Sequence, residues 1–209
     1  MTEQPRPRLS PRKQPKQARS TELVAVILEA AVHVLAKEGA QRFTTARVAE
    51  KAGVSVGSLY QYFPNKAAIL YRLQSDEWRQ TLDMLRTILE DRSLSPVDRL
   101  RKLVHAFIRS ECEEAGMRTA LSDAAPLYRN APETLSAKAE GAQIIRAFMR
   151  EALPGATEQT FDMAAKLITH TLSAVGKQFS ETPRRDSDII TYADALADMF
   201  QAYLQSLQH

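Results

Sequence analysis

The stretch GVSVGSLYQYFPNK at positions 53–66 gathers hydrogen-bonding groups of several kinds on a span no longer than one short helix. Ser55, Ser58, Tyr60 and Tyr62 bring hydroxyls, Gln61 an amide and Lys66 an ammonium, while Gly53 and Gly57 add no side chain at all. Such groups bind anions and flat polar edges through directed hydrogen bonds. Leu59 and Phe63 stand four residues apart, the spacing of one helix face, and point inward. Tyr60, Gln61 and Tyr62 are left to grip or read a partner, and Pro64 with Asn65 ends the segment.

No second cluster offers bond-making chemistry. Cys112 is the single cysteine, and Glu111, Glu113 and Glu114 around it oppose a thiolate. One cysteine excludes an internal disulfide and a multi-cysteine metal site, and it fits a reducing compartment, the cytoplasm. His33, His105, His170 and His209 lack the short spacing of a metal-binding pair. Glu113, Glu114 and Asp123 have no accompanying nucleophile or oxyanion-holding motif and read as solvated helix faces. No metal, cofactor or enzymatic activity is expected.

The flanking sequence supplies helices to hold the polar segment. Leu23, Ile27, Ala30, Ala31, Val34 and Leu35 recur at steps of three and four, predicting a first helix over 21–38 that Gly39 closes. Thr44 is a good N-cap for a second, short helix ending near Lys51, with Val48 and Ala49 buried and Gly53 closing it. Ser55 caps the third. Two helices joined by the tight turn AGVS, the second short and polar on one face, specify a helix-turn-helix. Such a unit offers the start of its second helix to base edges in the major groove of DNA. Gly57 and Ser58 then allow close approach, and Ser55, the free N–H groups at the helix start and Lys66 supply phosphate contacts.

Beyond Lys66 an amphipathic pattern runs to Glu90 through Ile69, Leu70, Leu73, Leu82, Leu85 and Ile88. A helix opening at SLSP carries Val97, Leu100, Leu103, Val104, Phe107 and Ile108 and is expected to end at Gly116. A shorter piece reaches APLYRNAPE, and helices follow over 132–153, 157–181 and 186–207. No stretch shows sustained β-branched alternation, so the fold class is all α. Phe161, Ala164, Ile168, Leu172, Val175 and Phe179, and again Ile189, Ala193, Leu196, Phe200, Tyr203 and Leu207, form the stripes of a four-helix bundle. The spacing leaves open whether they face their own domain or their copies in a second chain.

Charge is unevenly spread along the 209 residues. Residues 1–66 carry 11 Lys/Arg against 5 Asp/Glu and the remainder 17 against 20, so an anionic partner is met by the N-terminal third. No apolar run approaches the roughly 18 residues that span a bilayer. Residues 1–20 read as a basic, proline-broken, disordered arm without the apolar segment of a signal peptide. It is either a solubilising terminus or a grip on phosphate and minor groove through Arg12, Lys13, Lys16 and Arg19.

FTTARVAEKAGVSVGSLYQYFPNKAAIL, positions 43–70, resembles the DNA-binding signature of the TetR/AcrR family of bacterial transcriptional regulators in its TT start, GVS turn, LYxYF core and lysine exit. The resemblance implies a three-helix DNA-binding domain over 21–66 and a larger α-helical effector-binding and dimerisation domain over 67–209. It implies that Thr44 caps helix 2, that Thr45 and Arg47 touch backbone or groove edge, and that Lys66 meets phosphate. Ser55, Val56, Gly57, Ser58, Tyr60, Gln61 and Tyr62 would form the recognition surface. Many relatives carry lysine where Val56 stands; valine packs on a thymine methyl but cannot donate to guanine.

The resemblance further implies a homodimer in which the last two helices pair across a two-fold axis through Phe161, Ile168, Leu172, Val175, Phe179, Ile189, Ala193, Leu196, Phe200 and Tyr203. A small, apolar effector would lie among the central helices against Trp78, Phe107, Glu111, Phe148 and His170. The expected function is a repressor of a two-fold-symmetric double-stranded operator, released by that effector. A ligand-free DNA-binding adaptor or nucleoid organiser on the same fold, and an enzyme acting on the bound molecule, are the alternatives.

Overall fold

The computed structural model describes residue 9, residues 18–128 and residues 132–208. Among these are nine α-helices, one 3₁₀ turn and no strand. They pack as two compact units, one of residues 1–78 and 116–134, the other of residues 79–115 and 135–209.

The first unit begins with α1, Ala18–Arg42, whose buried face carries Val24, Ile27, Ala30, Ala31, Val34 and Leu35. Its backbone leaves helical geometry at Gly39 (φ 73°), so the straight helix stops where the sequence places its end and a short turn continues to Arg42. Next come α2, Thr45–Ala52, and α3, Val56–Tyr62, which pack on each other. Asn65 Oδ1 accepts the Ala68 N–H at 2.9 Å and so starts α4, Lys66–Leu89, which passes from the first unit into the second at Trp78–Arg79. Ala68, Ile69, Leu70 and Leu73 of α4 join Leu35, Phe43, Val48 and Leu59 in one core.

Packing also brings α6, Ala115–Ala124, and the 3₁₀ turn Ala125–Leu127 into this unit, although the sequence assigns everything beyond residue 66 to the larger domain. Ala120, Leu121 and Ala124 lie in the first core. The guanidinium of Arg118 meets the buried carboxylate of Glu77 at 2.5 Å, and the Tyr128 hydroxyl donates to the Leu121 carbonyl at 2.7 Å. Gly116 therefore does not end a helix. The break falls at Glu114 (φ −112°, ψ 13°), and Gly116 lies in the first turn of α6.

The second unit holds the rest of α4 with α5, Pro96–Glu113, α7, Pro132–Ala152 from Leu135 onward, α8, Glu158–Ser180, and α9, Asp186–Ser206. Helix α5 packs against both α8 and α9. At Gly176 of α8 the approach is close: an added Cβ would stand 3.0 Å from the Phe107 ring and 3.1 Å from Glu111 Cγ. Arg99 is 1% exposed; its Nη1 donates to the Leu89 carbonyl at 2.5 Å, satisfying the end of α4, and it pairs with Glu151. A buried guanidinium is tolerated only with such partners.

Candidate nucleic-acid interface

The two short helices keep their geometry through local bonds. Thr44 is extended (φ −135°) and its Oγ1 accepts the Arg47 N–H at 3.3 Å, while Gly53 adopts the left-handed conformation (φ 67°) that lets its N–H close on the Ala49 and Glu50 carbonyls. Ser55 Oγ accepts the Ser58 N–H at 3.0 Å and lies 2.8 Å from Ser58 Oγ. Each cap satisfies a helix-end group that would otherwise face solvent unpaired.

Within α3, Leu59, Tyr62 and the following Phe63 are the anchors, at 0%, 6% and 3% exposure. Tyr62 is thus withdrawn from the recognition surface expected of it. It lies three residues from Leu59, on the same inward face, and its ring completes the core that a seven-residue helix needs. The opposite face presents Ser55, Val56, Gly57, Tyr60 and Gln61 to solvent, with Ser58 half-buried and Lys66 exposed at the start of α4. Thr44 is exposed and Thr45 half-buried beside Tyr60, their hydroxyl oxygens 3.1 Å apart.

Arg47 lies at the same end of α2, but its guanidinium is held by the Glu38 carboxylate. No local spacing in the sequence marks Glu38 as its partner, because the pair closes only once Gly39 turns the chain. Arg12, Lys13 and Lys16 lie outside the described residues, as does the side chain of Arg19.

The second unit places the other candidates differently. Phe161, Ile168, Leu172, Ile189, Ala193, Leu196 and Phe200, expected at a dimer seam, are buried in this chain's own core, with Val175, Phe179 and Tyr203 packed against it. The stripes face inward because the core of one chain has first claim on the most apolar face of each helix. The large apolar residues turned outward on α8 and α9 are Met163, Leu167, Ile190 and Met199, at 59%, 46%, 44% and 49% exposure.

Among the expected effector contacts, Trp78 is half-buried in the first unit. Phe107 and Glu111 close on Gly176, and Phe148 is core beneath the Arg99 guanidinium, 5.5 Å from its ring centre. His170 faces outward on the side of α8 that carries Leu167, so it lines no interior. Burial raises the Cys112 thiol pKa, with Glu111 and Glu113 adding to the effect against Arg184 and Arg109. Among the described residues no group of three His, Cys, Asp or Glu is placed to hold a metal, and no helix is long and apolar enough to cross a membrane.

A capped pair of short helices with an anchored inner face and a polar outer one, set in an all-helical chain, defines a DNA-binding regulator of the helix-turn-helix class. The chain belongs to the TetR family. Residues 27–73 match bacterial regulatory proteins of the tetR family and residues 95–207 the tetracyclin repressor-like C-terminal domain. It is 31% identical over 105 residues to the nucleoid occlusion factor SlmA of Vibrio campbellii, covering 50% of this chain and 53% of that one. With the probable HTH-type transcriptional regulator ArpR of Pseudomonas putida it shares 40% identity over 81 residues, 38% of each chain. The chain therefore matches these relatives over about half their length or less. The fold resembles that of the transcriptional regulator FadR from Bacillus subtilis, solved in complex with stearoyl-CoA, with a TM-score of 0.67 at 16% identity over 85% of this chain and 97% of that one.

Proposed function

We propose that this regulator is a cytoplasmic repressor that binds a two-fold-symmetric operator as a homodimer and leaves it when a small apolar molecule binds the second unit. The observation that carries the reading is the division of α3, with Leu59, Tyr62 and Phe63 inside and Ser55, Val56, Tyr60 and Gln61 outside. A helix so short is held rigidly by its inner face and presents its outer one without further support. In this reading the exposed Met163, Leu167 and Met199 on the last two helices face the second copy, which would withdraw large apolar side chains from water. Helix α4, Lys66–Leu89, has residues in both units, and in this reading it is the element on which effector binding acts.

Selection of duplexes from a random pool, followed by footprinting, tests this. Two half-sites related by a two-fold axis and spaced about 34–36 Å or a multiple apart are expected; a single unsymmetrical footprint would refute the dimeric reading. Long-chain acyl-CoA is the first compound to titrate, beside the free fatty acid that carries only its apolar chain, because the structurally similar FadR was solved with stearoyl-CoA. The similarity to SlmA favours a second reading, a nucleoid-associated adaptor without an effector. A genome-wide binding map separates the two: many dispersed sites support the adaptor, a few promoters the repressor.

A further inference from the structure

Thr45 and Tyr60 belong to different helices, and their hydroxyl oxygens stand 3.1 Å apart. Thr45 is not occupied as a cap, because Thr44 does that work for α2. Tyr60 is 38% exposed, and an exposed phenol ordinarily swings freely at its tip. Here the tip is tied to the neighbouring helix. Each hydroxyl has one proton to donate and oxygen lone pairs to accept. With the Thr45 O–H donating to the phenol oxygen, the Tyr60 proton is left for a third group, and the incoming bond polarises the phenol into a stronger donor. An anionic oxygen is the partner such a donor suits, and phosphate oxygens line both edges of a DNA groove.

We infer that Thr45 is a positioning residue, which fixes and polarises the Tyr60 hydroxyl as one uncharged donor to a DNA phosphate, so that the two side chains act as a single unit. The inference rests on the DNA-binding reading above. It predicts an unusual combination: a loss that is independent of sequence, as for a phosphate contact, yet leaves the salt dependence unchanged because no cation is removed.

The full chain and the variants Thr45→Val, Thr45→Ser, Tyr60→Phe and the Val/Phe double are titrated with a duplex recovered from a random pool by the wild type and with an unselected duplex of equal length. Thermal melting of each variant confirms its fold. Thr45→Val and Tyr60→Phe should each weaken binding to both duplexes by about tenfold per bound subunit, the scale of a hydrogen bond to a charged group, and so by about a hundredfold for a dimer. The double should lose no more than either single, and Thr45→Ser should bind as the wild type does. The slope of log affinity against log salt should stay constant for all four, whereas Lys66→Ala lowers its magnitude by about 0.9 per bound subunit.

A loss in the double equal to the product of the two single losses, wild-type affinity in Thr45→Val, or a loss confined to the selected duplex would each overturn the inference. If Thr45→Val melts early, the serine variant decides: reduced affinity with its hydroxyl in place also overturns it. A folded wild type that binds neither duplex removes the DNA-binding reading itself, an outcome distinct from all of these.

Discussion

Charging the outward side of α8 distinguishes the two apolar faces of the last helices. Leu167 is 46% exposed in the single chain, and glutamate is almost as good a helix former as leucine, so Leu167→Glu should leave the protomer folded. In a two-fold dimer the substitution is felt twice. Full burial of a leucine is worth about 1.5–3 kcal/mol, so covering the remaining half in both copies contributes about 1.5–3 kcal/mol together. Two desolvated carboxylates add about 2 kcal/mol or more of penalty. The sum corresponds to a dissociation constant raised by about a thousandfold. Phe200→Glu is a different perturbation, because Phe200 is 2% exposed within its own core and a charge there should unfold the protomer. Sedimentation over a range of concentrations, with far-UV circular dichroism melting as the control, separates dissociation from unfolding. A Leu167→Glu chain that stays dimeric wherever the wild type is, with equal operator affinity, would refute this placement of the seam.

Other expectations follow from single positions. Gly53→Ala should cost about 1–2 kcal/mol through its left-handed backbone alone, since an added Cβ meets nothing within 4 Å, and the loss should appear as a lower melting temperature. Gly176→Val should cost about 1–3 kcal/mol by forcing Phe107 and Glu111 away, again read from the melt. Hydrogen bonds from Arg150 and Arg146 lower the Glu158 pKa from 4.5 to about 2, so its contribution to stability is present above pH 4.5 and fades as pH falls through about 2. Glu158→Gln should flatten that part of an acid titration followed by circular dichroism. For operator binding, raising salt from about 50 to 200 mM should weaken affinity by about a thousandfold if several phosphates are contacted; a flat response would argue against the phosphate grip.

Most helix starts could be read in advance because they are local chemistry. Thr44, Ser55 and Thr157 each accept the N–H three residues on, a bond written within four letters of sequence. The allocation of α6 is not local. It depends on Arg118 meeting Glu77 and on Tyr128 reaching Gln74, 54 residues away, and neither contact leaves a periodic trace. In the sequence Gly116 reads as a helix end followed by a shorter, irregular piece, whereas the tertiary partners make this segment a helix of the first unit.

The surfaces were harder to read than the cores for one physical reason. Periodicity reports which face of a helix is most apolar, and the chain's own core takes that face. The strong stripe through Phe161, Ile168 and Leu172 stands out in the sequence for this reason, while Met163 and Leu167 are dispersed among Lys166, His170 and Ser173 on the exposed side of α8. The two tyrosines of α3 follow the same rule. Tyr62 shares the face of Leu59 and is taken into the core; Tyr60 is turned away from it, and its hydroxyl is left beside Thr45. On helices like these, a partner surface is marked by apolar or tethered residues that interrupt a polar face.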